Sequence, residues 1–235
     1  MKLLVSAINK EEAITASKGG ADIVDVKNPI EGSLGANFPW IIRDVEEAVN
    51  GKQPISATIG DFNYKPGTAS LAALGAAVAG ADYIKVGLYD IQTQAQALEL
   101  LINIIRAVKN YDSTKKIVAS GYSDYKRINS IPPLSLSAVA AKAKADVVMV
   151  DTAIKDGKST FEFMDEKVLQ TFTDLAHEYG LENAIAGSLK FDDLPALERI
   201  GPDIIGVRGM VCGGNRKTAI QQKLVEKLVA ECQNF

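Results

Sequence analysis

One phrase occurs four times along this chain, and its spacing limits what the chain can become. The copies are Ala21-Asp22-Ile23-Val24-Asp25-Val26-Lys27, Ala81-Asp82-Tyr83-Ile84-Lys85-Val86-Gly87, Ala145-Asp146-Val147-Val148-Met149-Val150-Asp151 and Pro202-Asp203-Ile204-Ile205-Gly206-Val207-Arg208. Each is a short apolar run of strand character. The interval is about 60 residues, twice the roughly 30 of one strand–helix unit. A second set of strand-like runs fills the gaps: Leu3 to Ala7, Ile55 to Ile59, Ile117 to Ser120 and Ala184 to Gly187. A helical pattern follows every run. Strands alternating with helices imply a parallel sheet. Eight pairs in 235 residues fit a (β/α)8 TIM barrel, an α/β fold that runs to about 250 residues. An open doubly wound sheet is the rival, and the regular doubling favours the closed ring. The expectation is a single TIM-barrel catalytic domain over residues 1–235.

Side chains alternate between the faces of a strand. Ile23, Asp25 and Lys27 therefore share a face, as do Lys85 with Gly87, Met149 with Asp151, and Gly206 with Arg208. The opposite set, including Val24, Val26, Ile84, Val86, Val148, Val150, Ile205 and Val207, is β-branched and suits contact with helices. The charged set then points into the lumen near the C-terminal strand ends, where active sites of this fold lie. Buried charge is costly unless paired. Convergence of Asp25, Lys27, Lys85, Asp151 and Arg208 on one mouth therefore points to chemistry rather than packing. Lys155, four residues beyond Asp151, extends the set as a relay or orienting partner.

The connections add to this reading. Asn28 to Asn37 is long for a strand-to-helix loop, usually about 2–6 residues, and either caps the site or runs over the surface. Tyr122 to Leu134 is a second long loop and a lid candidate. Gly187, Ser188, Arg208, Gly209, Gly213 and Gly214 follow the seventh and eighth strands, where this fold often binds phosphate through backbone N–H groups. Asn9 and Glu12 read as a capping box. Asp61 to Gly67 reads as a turn. Leu98, Leu101, Ile102 and Ile105 read as the core stripe of a helix. The helix from Thr68 to Ala79 is built of small and apolar residues, and a homo-oligomer is expected through it.

Against 26 Lys and Arg stand 29 Asp and Glu, a net charge of −3, which points away from nucleic acid and anionic membranes. No apolar run approaches the roughly 20 residues of a membrane span. The N-terminus opens directly on a strand without a signal-peptide pattern. Cys212 and Cys232 make no metal spacing and read as reduced cytoplasmic thiols. His177 is the one histidine; it sits late in a helix, and its isolation excludes a Ser-His-Asp triad and a multi-histidine metal site. Acid–base work falls to Lys, Asp, Glu or Tyr.

Two lumen lysines suggest carbonyl chemistry. A lysine attacks a carbonyl only as the free amine, which desolvation or a neighbouring cation favours. Asp25 opposes this, and the sequence leaves the balance open. One lysine fits a Schiff-base nucleophile and the other a general base, acting on a phosphorylated small molecule. A class I aldolase or triose-phosphate isomerase, and a non-catalytic barrel that binds a phosphorylated ligand, remain alternatives.

Asp25-Val26-Lys27-Asn28-Pro29 followed by Glu31-Gly32-Ser33-Leu34-Gly35-Ala36-Asn37 closely resembles the archaeal (5-formylfuran-3-yl)methyl phosphate synthase family, also called 4-(hydroxymethyl)-2-furancarboxaldehyde-phosphate synthase. The likeness extends to Tyr83-Ile84-Lys85-Val86-Gly87, Asp151 and Lys155 and runs nearly the full length. It implies a lyase of methanofuran biosynthesis that condenses two molecules of glyceraldehyde 3-phosphate with loss of phosphate and water. It also implies Lys27 as the Schiff-base lysine and Lys85 as proton acceptor, with Asp25, Asp151 and Lys155 assisting. No metal or organic cofactor is implied.

Overall fold

The recurring phrase folds as every second strand of a closed ring. The computed structural model describes residues 1–233; Asn234 and Phe235, at the end of the expected domain, lie outside the described residues. The strands are β1 (Lys2–Ala7), β2 (Ile23–Val26), β3 (Ile55–Phe62), β4 (Tyr83–Leu88), β5 (Lys116–Tyr122), β6 (Val147–Asp151), β7 (Glu182–Ile185) and β8 (Ile204–Val207). The helices are α1 (Lys10–Lys18), α2 (Pro39–Val49), α3 (Pro66–Val78), α4 (Gln94–Tyr111), α5 (Leu136–Ala143), α6 (Glu166–Glu178), α7 (Leu194–Ile200) and α8 (Gln222–Gln233). Each strand runs parallel to the next, and β8 pairs back on β1. This is a (β/α)8 TIM barrel.

The second residue of the phrase explains why it recurs. Asp22, Asp82, Asp146 and Asp203 each accept a hydrogen bond from the first or second N–H of the preceding strand, at Leu3, Ile55, Ile117 and Asn183, over 2.7, 2.9, 2.8 and 2.8 Å. These carboxylates bolt neighbouring strands together at the bottom of the ring. Three of them have side-chain partners as well: Lys115 pairs with Asp82 and Lys109 with Asp146, and His177 Nε2 lies 2.9 Å from Asp203 Oδ2. His177 is thus a partly exposed partner of a structural aspartate, away from the mouth.

Two cores result. Leu4, Ile23, Tyr83, Val118, Val147, Met149, Ala184, Ala186 and Ile204 fill the lumen, in the packed layers this fold requires. The larger core lies between the ring and its helices. In α4 the deeply buried stripe is Ala97, Leu100, Leu101, Ile104 and Val108. Ile102 is 45% exposed, so the expected stripe is displaced toward the solvent edge; Leu101 alone of it is fully buried. Asn9 caps α1 by accepting from Glu12 N–H at 2.9 Å, but Glu12 accepts from Ile8 N–H rather than from Asn9, so the capping box is incomplete. Both cysteines are free and buried. No described helix is long and apolar enough to cross a membrane.

The largest departure from the sequence reading is at β3. It continues through Asp61, which had the character of a turn, with a shift of register between Thr58 and Asp61. A bulge re-aims side chains, and here it brings Asp61 under the loop after β2. Asp61 accepts from the Tyr122 hydroxyl and from Leu34 N–H. Leu34, Tyr122 and Ile128 pack together above it. The loop is fastened further by Ser33 Oγ to Thr152 O at 2.8 Å and by Thr58 Oγ1 to Gly35 O at 2.6 Å. The other long loop is docked as well: Asp124 accepts from Ala153 and Ile154 N–H, and Ser130 Oγ donates to Leu88 O. Through these contacts both long loops dock over the β3–β5 half of the mouth as a plug.

Gly87 is where the plug meets the sheet. A Cβ there would lie 2.0 Å from the Tyr122 hydroxyl, 2.7 Å from Asp61 Oδ1 and 3.0 Å from Leu34 Cδ1. Overpacking of this kind costs about 1–3 kcal/mol, and Gly87→Ala should lose that much in urea unfolding. A loss below about 0.5 kcal/mol, the range of neutral surface changes, would mean the plug yields freely.

Candidate active site

The opening lies beside the plug, over β6, β7, β8 and β1. A cavity of about 710 Å³ lies there, with Lys27, Lys85, Asp151 and Lys155 in its wall and Met149 and Gly206 toward its floor. Alternation along β2 and β4 places Asp25, Lys27 and Lys85 inward as expected. β6 ends on Asp151, which places that carboxylate at the rim.

Asp25 is fully buried and satisfied on three sides. Ser6 Oγ and Ser56 Oγ each donate to it at 2.8 Å, and Lys85 Nζ lies 3.0 Å from Oδ2. The Lys85 and Asp25 side chains are 2% and 0% exposed. A buried pair is tolerable only with its remaining lone pairs met, and the two serines meet them. Asp25 is therefore the counter-ion of Lys85, not of its near neighbour Lys27.

A second pair sits at the rim. Lys155 Nζ donates to Asp151 Oδ1 at 2.5 Å and to Thr152 Oγ1 at 2.8 Å. Thr152 N–H also donates to Asp151 Oδ1 at 2.7 Å. Burial works against ionisation of Asp151, but Lys155, Lys27 and these hydrogen bonds outweigh it and hold the carboxyl below its usual range.

Lys27 lies between the two pairs and is 6% exposed. No side chain or carbonyl among the described residues accepts a hydrogen bond from its amine. Burial brings its pKa down from 10.5 to about 7. Asp151 opposes that and Lys155 assists it; Lys85 assists and Asp25 opposes. Within each pair the two charges act in opposite senses, and desolvation is the largest influence. The amine is partly neutral near pH 7, which a nucleophilic lysine requires.

The expected phosphate residues divide. Gly187, Ser188 and Gly209 line the cavity, and their N–H groups find no acceptor among the described residues. Gly187 and Ser188 take positive φ of 103° and 52°. A Cβ at Gly187 would meet Thr160 Oγ1 at 2.2 Å. Gly213 and Gly214 also line the cavity, but both N–H groups donate to Gly209 O. They shape the turn and do not offer free amides. Arg208 is likewise corrected. Its guanidinium donates to Glu12 through Nη1 and Nη2 at 2.6 and 3.2 Å, and to the carbonyls of Ser6, Arg216 and Thr218. All five N–H groups are engaged, leaving none for a phosphate. Arg208 is a strut, and the sequence reading missed its partner Glu12 because Glu12 had the spacing of a helix cap.

The depressed lysine has a consequence for stability. Between pH 7 and 10.5, the folded and ordinary values, the unfolded chain binds the extra proton, so this group makes stability rise with pH across that window. Below it the cost is present in full. Lys27→Met should therefore stabilise the protein at pH 7, by on the order of 2–4 kcal/mol, and the gain should shrink toward pH 10. Equal gains by urea unfolding at the two pH values would contradict the desolvated amine.

The 4-HFC-P synthase family model matches residues 3–229. The (5-formylfuran-3-yl)methyl phosphate synthase of Methanosarcina acetivorans is 84% identical over 233 residues, covering 99% of this chain and 100% of that protein. That of Methanocaldococcus jannaschii is 53% identical, covering 99% and 100%. Among solved structures, KGPDC from Streptococcus mutans superposes with a TM-score of 0.67 at 15% identity, covering 99% of this chain and 97% of that one. N-(5'-phosphoribosyl)anthranilate isomerase from Pyrococcus furiosus gives a TM-score of 0.66 at 16% identity, with 100% of both chains covered. At such identities the structures share a fold, whereas the full-length matches to the synthases go further: this chain belongs to the 4-HFC-P synthase family.

Proposed function

We propose that this chain condenses two molecules of glyceraldehyde 3-phosphate to (5-formylfuran-3-yl)methyl phosphate, with loss of phosphate and water, as a lyase in methanofuran biosynthesis. The observation that carries this reading is the Lys27 amine, desolvated to a pKa of about 7 and unpartnered in a cavity walled by two ion pairs. Membership of a family whose relatives bear that synthase name supports the product.

Lys27 attacks the carbonyl of one triose phosphate and forms a carbinolamine. Lys85, held by Asp25, delivers a proton as the hydroxyl leaves as water and an imine forms. Having lost that proton, Lys85 accepts the one released when the imine becomes an enamine, which agrees with the acceptor role its family resemblance implies. The enamine carbon then attacks the aldehyde of the second triose. Asp151 and Lys155, joined at the rim, relay protons during phosphate loss and ring closure. The amides of Gly187, Ser188 and Gly209 bind a phosphate as a nest of N–H donors.

Borohydride added with glyceraldehyde 3-phosphate should trap the substrate on Lys27, and untreated enzyme should develop furan absorbance. A label on another residue, or none, would remove Lys27 from this role. Cleavage or isomerisation without furan would indicate an aldolase or isomerase instead. Lys85→Ala should lower turnover by about 100-fold or more, the usual worth of a positioned acid–base group, with the fold retained by circular dichroism. Trapping rates should climb through pH 7 and level off above it, since only the neutral amine attacks; a rate still climbing to pH 10 would mean an ordinary lysine.

A further inference from the structure

The proposed reaction brings two phosphates into one cavity, and we assign one of them to the free amides of Gly187, Ser188 and Gly209 in its wall. The second phosphate needs another anchor. Arg208 has no donor to give, and Lys155 is held by Asp151 and Thr152. Arg216, in the connection before α8, differs from both. It lines the same cavity and is half-buried, and none of its side-chain N–H groups has an acceptor among the described residues. Burial lowers its pKa, and Asp151 is the charged group that most strongly counters the effect. It shares the cavity wall with Asp151, which is already paired with Lys155.

The backbone that carries this guanidinium is clamped. Its carbonyl accepts from Arg208 Nε at 2.8 Å, and Thr218 O accepts from Arg208 Nη2 at 3.4 Å. Thr218 Oγ1 donates to Cys212 O and Asn215 O, each at 2.8 Å. Arg208, locked on Glu12, therefore aims Arg216 rather than meeting the ligand itself. A guanidinium with its planar fork unused, at the wall of a cavity, matches the geometry of a phosphate.

We propose that Arg216 anchors the second phosphate, the one expelled, at a subsite separate from the amides of Gly187, Ser188 and Gly209. This rests on the imine reading of the site. In the expelling step a C–H bond gives its proton to the Asp151 carboxylate of the rim pair, and its electron pair becomes the new C=C bond. The neighbouring C–O bond breaks, and its electrons depart on the phosphate oxygen. Arg216 receives the charge that builds there. A fixed cation aimed at a developing anion acts mainly on that step.

Inorganic phosphate reads the subsites without chemistry. Calorimetry should find two phosphates bound per chain in the wild type and one in Arg216→Ala, with the second weakened but present in Arg216→Lys. Furan formation by Arg216→Ala should fall about 100-fold, the scale of losing one such donor, while borohydride trapping on Lys27 keeps its rate. Arg216→Lys should recover part of the turnover. The proposal is overturned if the wild type binds one phosphate, or if Arg216→Ala binds two as tightly as the wild type. Turnover within about twofold of wild type would overturn it too, as would loss of Lys27 trapping, since Arg216 would then serve the triose that forms the imine. If the wild type itself gives no adduct on Lys27, the imine reading falls, and the phosphate count still decides the role of Arg216.

Discussion

Everything distinctive about this mouth depends on Asp25 holding Lys85 rather than Lys27. Had the carboxylate paired with the lysine two residues along, that amine would stay protonated. The pleat prevents it: Asp25 and Lys27 stand on one face at different heights, and Asp25 is level with Ser6 and Ser56 in the adjoining strands. Those hydroxyls complete the carboxylate's shell, and Lys85 supplies the charge. The same arrangement at Asp151 and Lys155 places a second neutral couple on the other side. Lys27 is left among charges whose fields oppose one another, and the missing water settles its protonation.

The repeated phrase serves both ends of each strand. Its second position is an aspartate that ties strand to strand at the bottom, and its fifth and seventh positions face the lumen near the top. In the copies these become Asp25 and Lys27, Lys85 and Gly87, Met149 and Asp151, and Gly206 and Arg208. Stability is built at one end by identical residues and chemistry at the other by differing ones, in keeping with the division of labour in this fold. The two lumen positions occupied by glycine still matter. Gly87 makes room for the plug, and a Cβ on Gly206 would lie 3.2 Å from the Met149 methyl group.

The ring, its inward face and the lysines were legible because period-two alternation and an eightfold count are strong signals. Less legible was anything set by contact between distant segments. Asp61 sits in a stretch rich in turn formers, and only the bulge and the Tyr122 hydroxyl make it part of the sheet. Arg208 shared the register of the charged inward-facing set, yet Glu12, nearly the whole chain away, takes its charge. Gly213 and Gly214 had the composition of a phosphate loop, and their amides turned inward to Gly209. In each case residue type and spacing were right, while the partner, which sequence does not display, fixed the role.

The clamp between Glu12 and Arg208 crosses the seam where the last strand meets the first. The lysines, both ion pairs and the plug are all made from residues that precede Arg208 in the chain. Until β8 is added the β1 edge is unpaired, and the loop bearing Arg216, which follows Arg208 in the chain, needs Arg208 to hold it. Catalytic competence would accordingly arrive late in synthesis, when the eighth strand closes the ring. A chain that stopped short of the seam would thus carry the desolvated Lys27 position without the clamp that fixes the Arg216 loop.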